Sequence, residues 1–355
     1  MTINEAAIDR KNNLNIIRLI ASLMVLYMHS FAVSVGSQTE DVFYTLTNHK
    51  DLAGGIAVYI FFIISGFLIC RSFDRSKSVV KYAKARFLRI WPLLFVVVMV
   101  LAFILGPIIS EYTFYQYFHY GDLRSFLLNL VFISSDTNLP GVFPYHYIHS
   151  INGSLWTLMY EVIWYIIVAI TAFLWKKRRA VVVAMYAVLT TLYLCINAGL
   201  FTNVPVLSTG YVLNMSKLGM FFTMGMAYYL YSDKIKLSFK VFVVAFVGLV
   251  LGILFCNFIF TFSIFGPYII FYIAFQKRFI ATWYDKIGDL SYGIYIMSFP
   301  IQQTLVECLG EPTYGYNTLS MNPYFNMLLT LIIVLPLSFI TWHFIEQPCL
   351  KLKNK

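Results

Sequence analysis

Apolar runs long enough to cross a bilayer recur along this chain, and few sequence features limit a fold so sharply. The first, Leu14–Val35, reads LNIIRLIASLMVLYMHSFAVSV. A spanning helix needs about 20 mostly apolar residues, and ten runs approach or reach that. They lie at about 14–35, 52–70, 88–109, 154–175, 180–200, 212–231, 241–260, 264–276, 287–308 and 324–346, the eighth being short. Inside a bilayer every backbone N–H and C=O must find its partner within the protein, so runs of this kind are helical. The 355 residues are 60% hydrophobic and 12% charged, whereas a soluble domain is about half apolar and a quarter charged. The expectation is an all-α, polytopic membrane protein of about ten transmembrane helices. It forms a single integral-membrane domain over 1–355, with its core at 14–348.

Charge placement gives the orientation. Of 26 Lys and Arg residues, 22 fall in the N-terminal tail, the segments 71–89, 175–179, 232–240 and 277–286, and the C-terminal tail. These are the connections on one side of a ten-span chain, together with both termini. Lys50, Arg124 and Lys217 fall on or near the other side, and Arg18 lies within the first run. Basic loops stay in the cytoplasm, so both termini are expected there. The net charge of +10 thus reads as membrane topology and not as a nucleic-acid surface. Segment 71–89 becomes a basic cytoplasmic linker. Segment 110–153 becomes a periplasmic segment, with its apolar piece Phe126–Ile133 as a cover or re-entrant lip. The five cysteines are scattered without CxxC spacing, which indicates neither a disulfide framework nor a metal site. The first run is too long for a cleavable signal peptide and lacks a small-residue cleavage site.

Ionisable residues within the runs are few: Arg18, His29 and Glu161, with Lys217, Glu307 and His343 toward run ends. Such groups are costly at membrane depth and mark a pathway or a site. At 1.5 Å per residue, Arg18 comes out about 6 Å from the inner boundary, His29 about 22 Å and Glu161 about 20 Å. A carboxylate beside an imidazole can fix its tautomer and stabilise the imidazolium that forms when it takes a proton. Inter-helix hydrogen bonding is the other reading of the pair. Arg86 and Arg89, three residues apart, share a helix face; they are either phosphate-binding forks or plain topology determinants. His119, His146 and His149 read as loop residues and not as metal ligands.

Several segments resemble the acyltransferase-3 membrane proteins that O-acylate cell-surface carbohydrates. Arg18–Ala21 followed by His29 looks like the family's Arg-x-x-Ala start, with its His eleven residues after the Arg. Phe61–Ile69 (FFIISGFLI), Arg86–Pro92 (RFLRIWP) and Ser154–Glu161 (SLWTLMYE) are similar to three further motifs. So are Gly288–Tyr295 (GDLSYGIY) and Phe344–Pro348 (FIEQP). The resemblance implies acetyl-CoA as co-substrate from the cytoplasm, with no cofactor or metal, and a carbohydrate hydroxyl as acceptor, lipid-linked or polymeric. It implies the bacterial inner membrane as the location. By position, His29 would be the base and Glu161 its partner. Arg86 and Arg89 would hold the coenzyme phosphates, and Arg18 would line the approach. Ser65, Ser154, Trp156 and Tyr292, which belong to these motifs, are expected to line the site.

Two departures stand out. Ser298, in Met297–Pro300, occupies a position where the family often has His. The chain also stops nine residues after Glu346, without the esterase-like domain of larger members. It is therefore expected to complete the transfer itself or hand the acyl group to another protein. The competing function is a multi-pass transporter or flippase with Arg18, His29 and Glu161 as pathway charges, although no inverted repeat is visible.

Overall fold

The computed structural model describes residues 1–8, 12–37, 41–76, 78–119, 121–134, 136–174, 177–207, 209–276, 281–313 and 318–354. Among them run ten helices of 17 residues or more, one on each apolar run. They are α1 (Leu14–Val35), α2 (Ala53–Ser76), α3 (Val79–Val100), α4 (Trp156–Ala172) and α5 (Arg178–Asn197). Then follow α6 (Gly210–Leu230), α7 (Phe239–Phe255), α8 (Phe258–Phe275), α9 (Ser291–Leu309) and α10 (Pro323–Thr341). Seven of these, with their continuations, are long and apolar enough to cross a membrane. The other three fall short for visible reasons. Helix α6 carries Asn214, Ser216 and Lys217, α9 carries Ser298, Gln302 and Gln303, and α7 has only 17 residues. The chain is a multi-pass membrane protein.

The bundle is apolar outside as well as in. Ile166, Val188, Val244 and Ile332 are exposed, while Gln302, Gln303, Asn326 and Thr330 are fully buried. That is the arrangement expected where hydrocarbon is the solvent and polar groups must find partners within the protein. Close backbone approach makes the centre. A Cβ on Gly66 of α2 would stand 2.1 Å from the Phe222 carbonyl oxygen, and one on Gly225 of α6 would stand 2.1 Å from that of Ile63. Small residues let membrane helices pack at this range, and the glycine of the FFIISGFLI segment has that task.

Segments expected on one side do gather at one end. Arg71 donates to the Ala7 carbonyl at 2.6 Å, Arg178 pairs with Asp74 at 2.6 Å and Arg179 with Asp233 at 2.9 Å. Ile3 N–H bonds the Ile235 carbonyl, and Asn13 N–H that of Ala274. At the far end, His146 links to Glu307, Leu319 N–H to the Tyr145 carbonyl, and Lys50 to the carbonyls of Ile253 and Cys256.

Three expectations change. Segment 71–89 is not an open linker: α2 runs to Ser76 and α3 starts at Val79, with the Ser78 hydroxyl accepting the Lys81 N–H as a helix cap. Its Lys, Arg and Ala residues are good helix formers, and Lys77 lies outside the described residues. The eighth helix is full length, Phe258–Phe275, starting six residues upstream of the expected 264, where the Asn257 side chain caps it by accepting the Phe260 N–H. Helix α10 does not stop near 346. A π-helical turn at Trp342–Glu346 carries it into Gln347–Lys351 and turns Glu346 fully inward. In 110–153, the turn Leu128–Val131 packs against α3 and the helix Leu123–Leu127 against its π-helical continuation Leu101–Leu105, and Phe132 reaches a cleft lined by Tyr82, Phe87 and Trp91. Tyr120, Ser135, Trp175 and Lys176 lie outside the described residues.

Candidate active site

Four helices, α1, α2, α4 and α9, enclose a small cavity in the half of the bundle nearer the basic end. Glu161 of α4 faces it with Ser65 of α2, whose hydroxyl stands 3.4 Å from Oε1. One turn further along α4, the Tyr165 hydroxyl donates to the same carboxylate oxygen. Arg18 of α1 and Tyr292 of α9 complete the lining. Glu161 is thus placed by a hydroxyl pair on a stretch of helix where i and i+4 meet.

Beside the cavity lies a charge network. Asp289 accepts from Arg18 at 2.8 Å and from Arg89 at 2.6 Å, and Arg89 reaches Glu346 at 3.3 Å. The Ser291 hydroxyl holds the other Asp289 oxygen at 2.5 Å. The Arg89 guanidinium lies over the rings of Tyr292 and Trp342, at 5.9 and 5.7 Å. Arg89 is therefore engaged by two carboxylates. Arg86 contrasts with it: it has no carboxylate partner among the described residues. It donates to Ser72 Oγ at 3.3 Å, lies 5.9 Å over Tyr165, and its buried Nε has no hydrogen-bond partner.

From Arg86 the space opens toward the basic end. A groove of about 490 Å³ is lined by Arg71, Arg75, Lys81, Arg86 and Lys353, with no carboxylate side chain on its wall among the described residues. Leu68 and Arg86 border both this groove and a recess of about 80 Å³ that contains Arg18, Arg89 and Glu161. Arg18, Ser65, Glu161 and Tyr292 in turn border both the recess and the innermost cavity of about 50 Å³. The three spaces form one row. Forked cations at its wide mouth suit a phosphorylated ligand.

His29 lies beyond the end of this row. Its ring meets Phe299 edge to face at 4.9 Å, and its buried Nδ1 has no hydrogen-bond partner. Sequence depth placed it level with Glu161, and the structure does not. Gly54 lies against Met28, and Ser65, which contacts Glu161, is eleven residues further along α2, or about 16 Å. Gly153 lies against Phe299, and Glu161 is eight residues past it, about 12 Å. Both counts put the carboxylate more than two helical turns from the imidazole, and no hydrogen bond joins them. The depth estimate failed because it took the start of α4 as the membrane surface. That start lies at the level of His29, since Gly153 and His29 both meet Phe299.

The other expected residues divide. Ser65 and Tyr292 line the cavity. Ser154 is buried in the turn that starts α4, its Oγ unpartnered, next to the Gly153–Phe299 contact. Trp156 packs on Tyr160 at 5.8 Å and lines none of the three spaces. Ser298, buried, donates to the Ile294 carbonyl of its own helix. His146 bonds Gln303 and Glu307, while His119 and His149 bond backbone carbonyls. Sequence reasoning passed over Asp289, Glu346, Thr157 and Tyr295, though each stands in a segment it had singled out. It also read Arg71, Arg75, Lys81 and Lys353 only as topology charge.

Residues 11–343 match the family model described as an acyltransferase domain. The chain is 30% identical to an O-acetyl transferase of Shigella phage Sf6, over 95% of this chain and 96% of that protein. It is 32% identical to nodulation protein 10 of Rhizobium leguminosarum bv. viciae, over 52% of this chain and 51% of that one. No solved structure matches it. The transporter reading falls away: the protein is a membrane-embedded acyltransferase and belongs to the acyltransferase-3 family.

Proposed function

We propose that the enzyme transfers an acetyl group from acetyl-CoA to a hydroxyl of a cell-surface carbohydrate. Its ten helices span the bacterial inner membrane with both termini and the basic end in the cytoplasm, as the loop charges favour. The observation that carries the reading is the row of spaces from the five-cation groove to the cavity at Glu161. Its axis continues toward His29. Coenzyme phosphates bind in the groove, with Arg86 the innermost fork. The pantetheine arm threads past Arg18 and Glu161. The remaining distance to His29, about 16 Å, is within reach of an extended arm from the level of Arg18.

At His29 the acceptor hydroxyl loses its proton to the imidazole as its oxygen attacks the thioester carbonyl. The C–S bond then breaks, and the thiolate of coenzyme A takes the proton back. Arg18, Arg89, Asp289 and Glu346 form a fixed scaffold along the donor path. Glu161 serves the donor side, orienting Ser65 and Tyr165, and is not the partner of His29 in this arrangement. The acceptor is a repeat of O-antigen or exopolysaccharide type, carried on lipid or already polymerised. The test is reconstitution of the purified chain with acetyl-CoA and a surface polysaccharide lacking the modification. Gain of an alkali-labile acetyl ester by mass spectrometry is expected. Its absence, with coenzyme A release at the rate of an empty control, would remove the proposal.

A further inference from the structure

The innermost cavity ends on a wall built from one residue each of α2, α4 and α9. Tyr295 and Phe61 meet edge to face at 5.7 Å, and the Tyr295 hydroxyl pairs with Thr157 Oγ1 at 2.7 Å. Thr157 is four residues before Glu161 and so lies one turn outward on the same face. Tyr295 is four residues before Phe299, the ring that carries the edge of His29. All three wall residues line the cavity that holds Glu161, and His29 does not. Ala21, Val25 and Ala57 cluster with Tyr295, and Met24 and Ile60 pack against that cluster. The wall therefore lies between the carboxylate and the imidazole, its one polar link among the described residues is a single hydrogen bond, and no ion pair holds it in place among them.

We propose that Tyr295, Thr157 and Phe61 form a gate between the acyl-CoA path and His29, and that this gate sets the length of acyl group the enzyme accepts. The proposal rests on the reading above that the donor enters from the basic end. Closed, the gate keeps the thioester in a cavity of about 50 Å³ and away from water on the far side. Opening swings the Tyr295 ring off Thr157 and gives up one hydrogen bond. A failed gate has a defined chemical signature. Water attacks the thioester carbonyl, the C–S bond breaks, and acetate and the coenzyme A thiol appear without acceptor.

The full chain in lipid nanodiscs, given acetyl-CoA or butyryl-CoA, tests this by ratios. Phe61→Ala is expected to raise butyryl relative to acetyl transfer about tenfold, the scale on which a pocket discriminates extra methylenes. Thr157→Val and Tyr295→Phe are each expected to raise acceptor-free acetate release per transfer event by about fivefold or more, the loss of one hydrogen bond. Variants that still transfer acetyl groups with both ratios at the wild-type level overturn the gate. Phe61→Leu replaces the alanine variant if that does not fold. A readout independent of turnover uses Val58→Cys, a cavity position on the Glu161 side. Spheroplasts are treated from outside with an impermeant methanethiosulfonate, and the peptide carrying position 58 is read by mass spectrometry. Labelling that appears only with Thr157→Val supports the gate; equal labelling with and without it refutes it. If the wild type uses no acyl-CoA at all, the donor reading fails, and the labelling still decides the wall.

Discussion

The two halves of the site hold different kinds of polar group, charged and ion-paired in one, neutral in the other. Toward the basic end, Arg18, Arg89, Asp289 and Glu346 are joined by three ion pairs, although Glu346 Oε1 has no hydrogen-bond partner among the described residues. On the other side of the Tyr295 wall, His29 Nδ1, Ser154 Oγ and Gln302 Oε1 are buried without hydrogen-bond partners. Buried polar atoms are nearly always paired, and exceptions call for an explanation. The ion pairs tie α1 and α3 to the segments before α9 and after α10, whereas Arg86 has no carboxylate partner among the described residues and on the proposed reading takes an anion. A set of unpaired neutral groups suits the hydroxyl-rich acceptor proposed above. On the proposed reading, charge organises the donor side and neutral polar groups line the acceptor side.

The largest effect should come from the acceptor side. His29→Ala removes the proposed base, and general-base catalysis contributes about 10²–10⁴-fold. Acetyl transfer in reconstituted membranes is expected to fall by that factor while the variant keeps wild-type insertion and melting behaviour. Transfer within a few fold of wild type would end the assignment of His29. Next comes the scaffold. Asp289→Ala leaves Arg18 without its carboxylate and Arg89 with only Glu346, and breaking a buried pair costs about 3–5 kcal/mol. Here the loss should appear as lowered thermal stability in detergent before it appears in kinetics. A variant that melts normally but binds acyl-CoA poorly would make the network a ligand site and dissolve the contrast.

The contrast was only half legible in the sequence. The helices were, because apolar runs of this length have one structural solution in a bilayer. The grouping of loops was also legible, because charge placement carries it. The pairing of Arg89 was not: its partners are 200 and 257 residues away, and nothing in RFLRIWP separates it from Arg86 three residues earlier. Asp289 and Glu346 stood in plain view in GDLSYGIY and FIEQP, but the inward turn of Glu346 depends on a π-helical turn that period counting does not register. The offset between His29 and Glu161 was hidden for a related reason. Residue counts measure distance along one helix, whereas the stagger between helices comes from packing such as Gly54 on Met28 and Gly153 on Phe299.

A smaller effect separates the two arginines. Arg86→Ala should raise the KM for acetyl-CoA about tenfold, or about 1.4 kcal/mol, with stability unchanged, since no ion pair is lost. Arg89→Ala should do the reverse, costing stability first. Titration of the two purified variants with acetyl-CoA, alongside melting curves, distinguishes the cases. Equal behaviour would return both residues to a shared role.

The smallest effect is expected at Ser298, and it probes the acceptor half most finely. This serine stands next to Phe299 and is fully buried, yet unlike Ser154 its hydroxyl is satisfied, by the Ile294 carbonyl one turn back. A helical serine bonded in this way offers nothing to a ligand. Ser298→Ala removes donor and bond together, leaves the carbonyl within its helix, and substitutes a better helix former. Stability and acetyl transfer should both change by less than about 0.5 kcal/mol, near twofold in rate. A serine that has taken over the work of the histidine often found at this position would instead cost tenfold or more. That result would place a second reacting group beside His29 and turn the acceptor half from a passive binding surface into part of the chemistry.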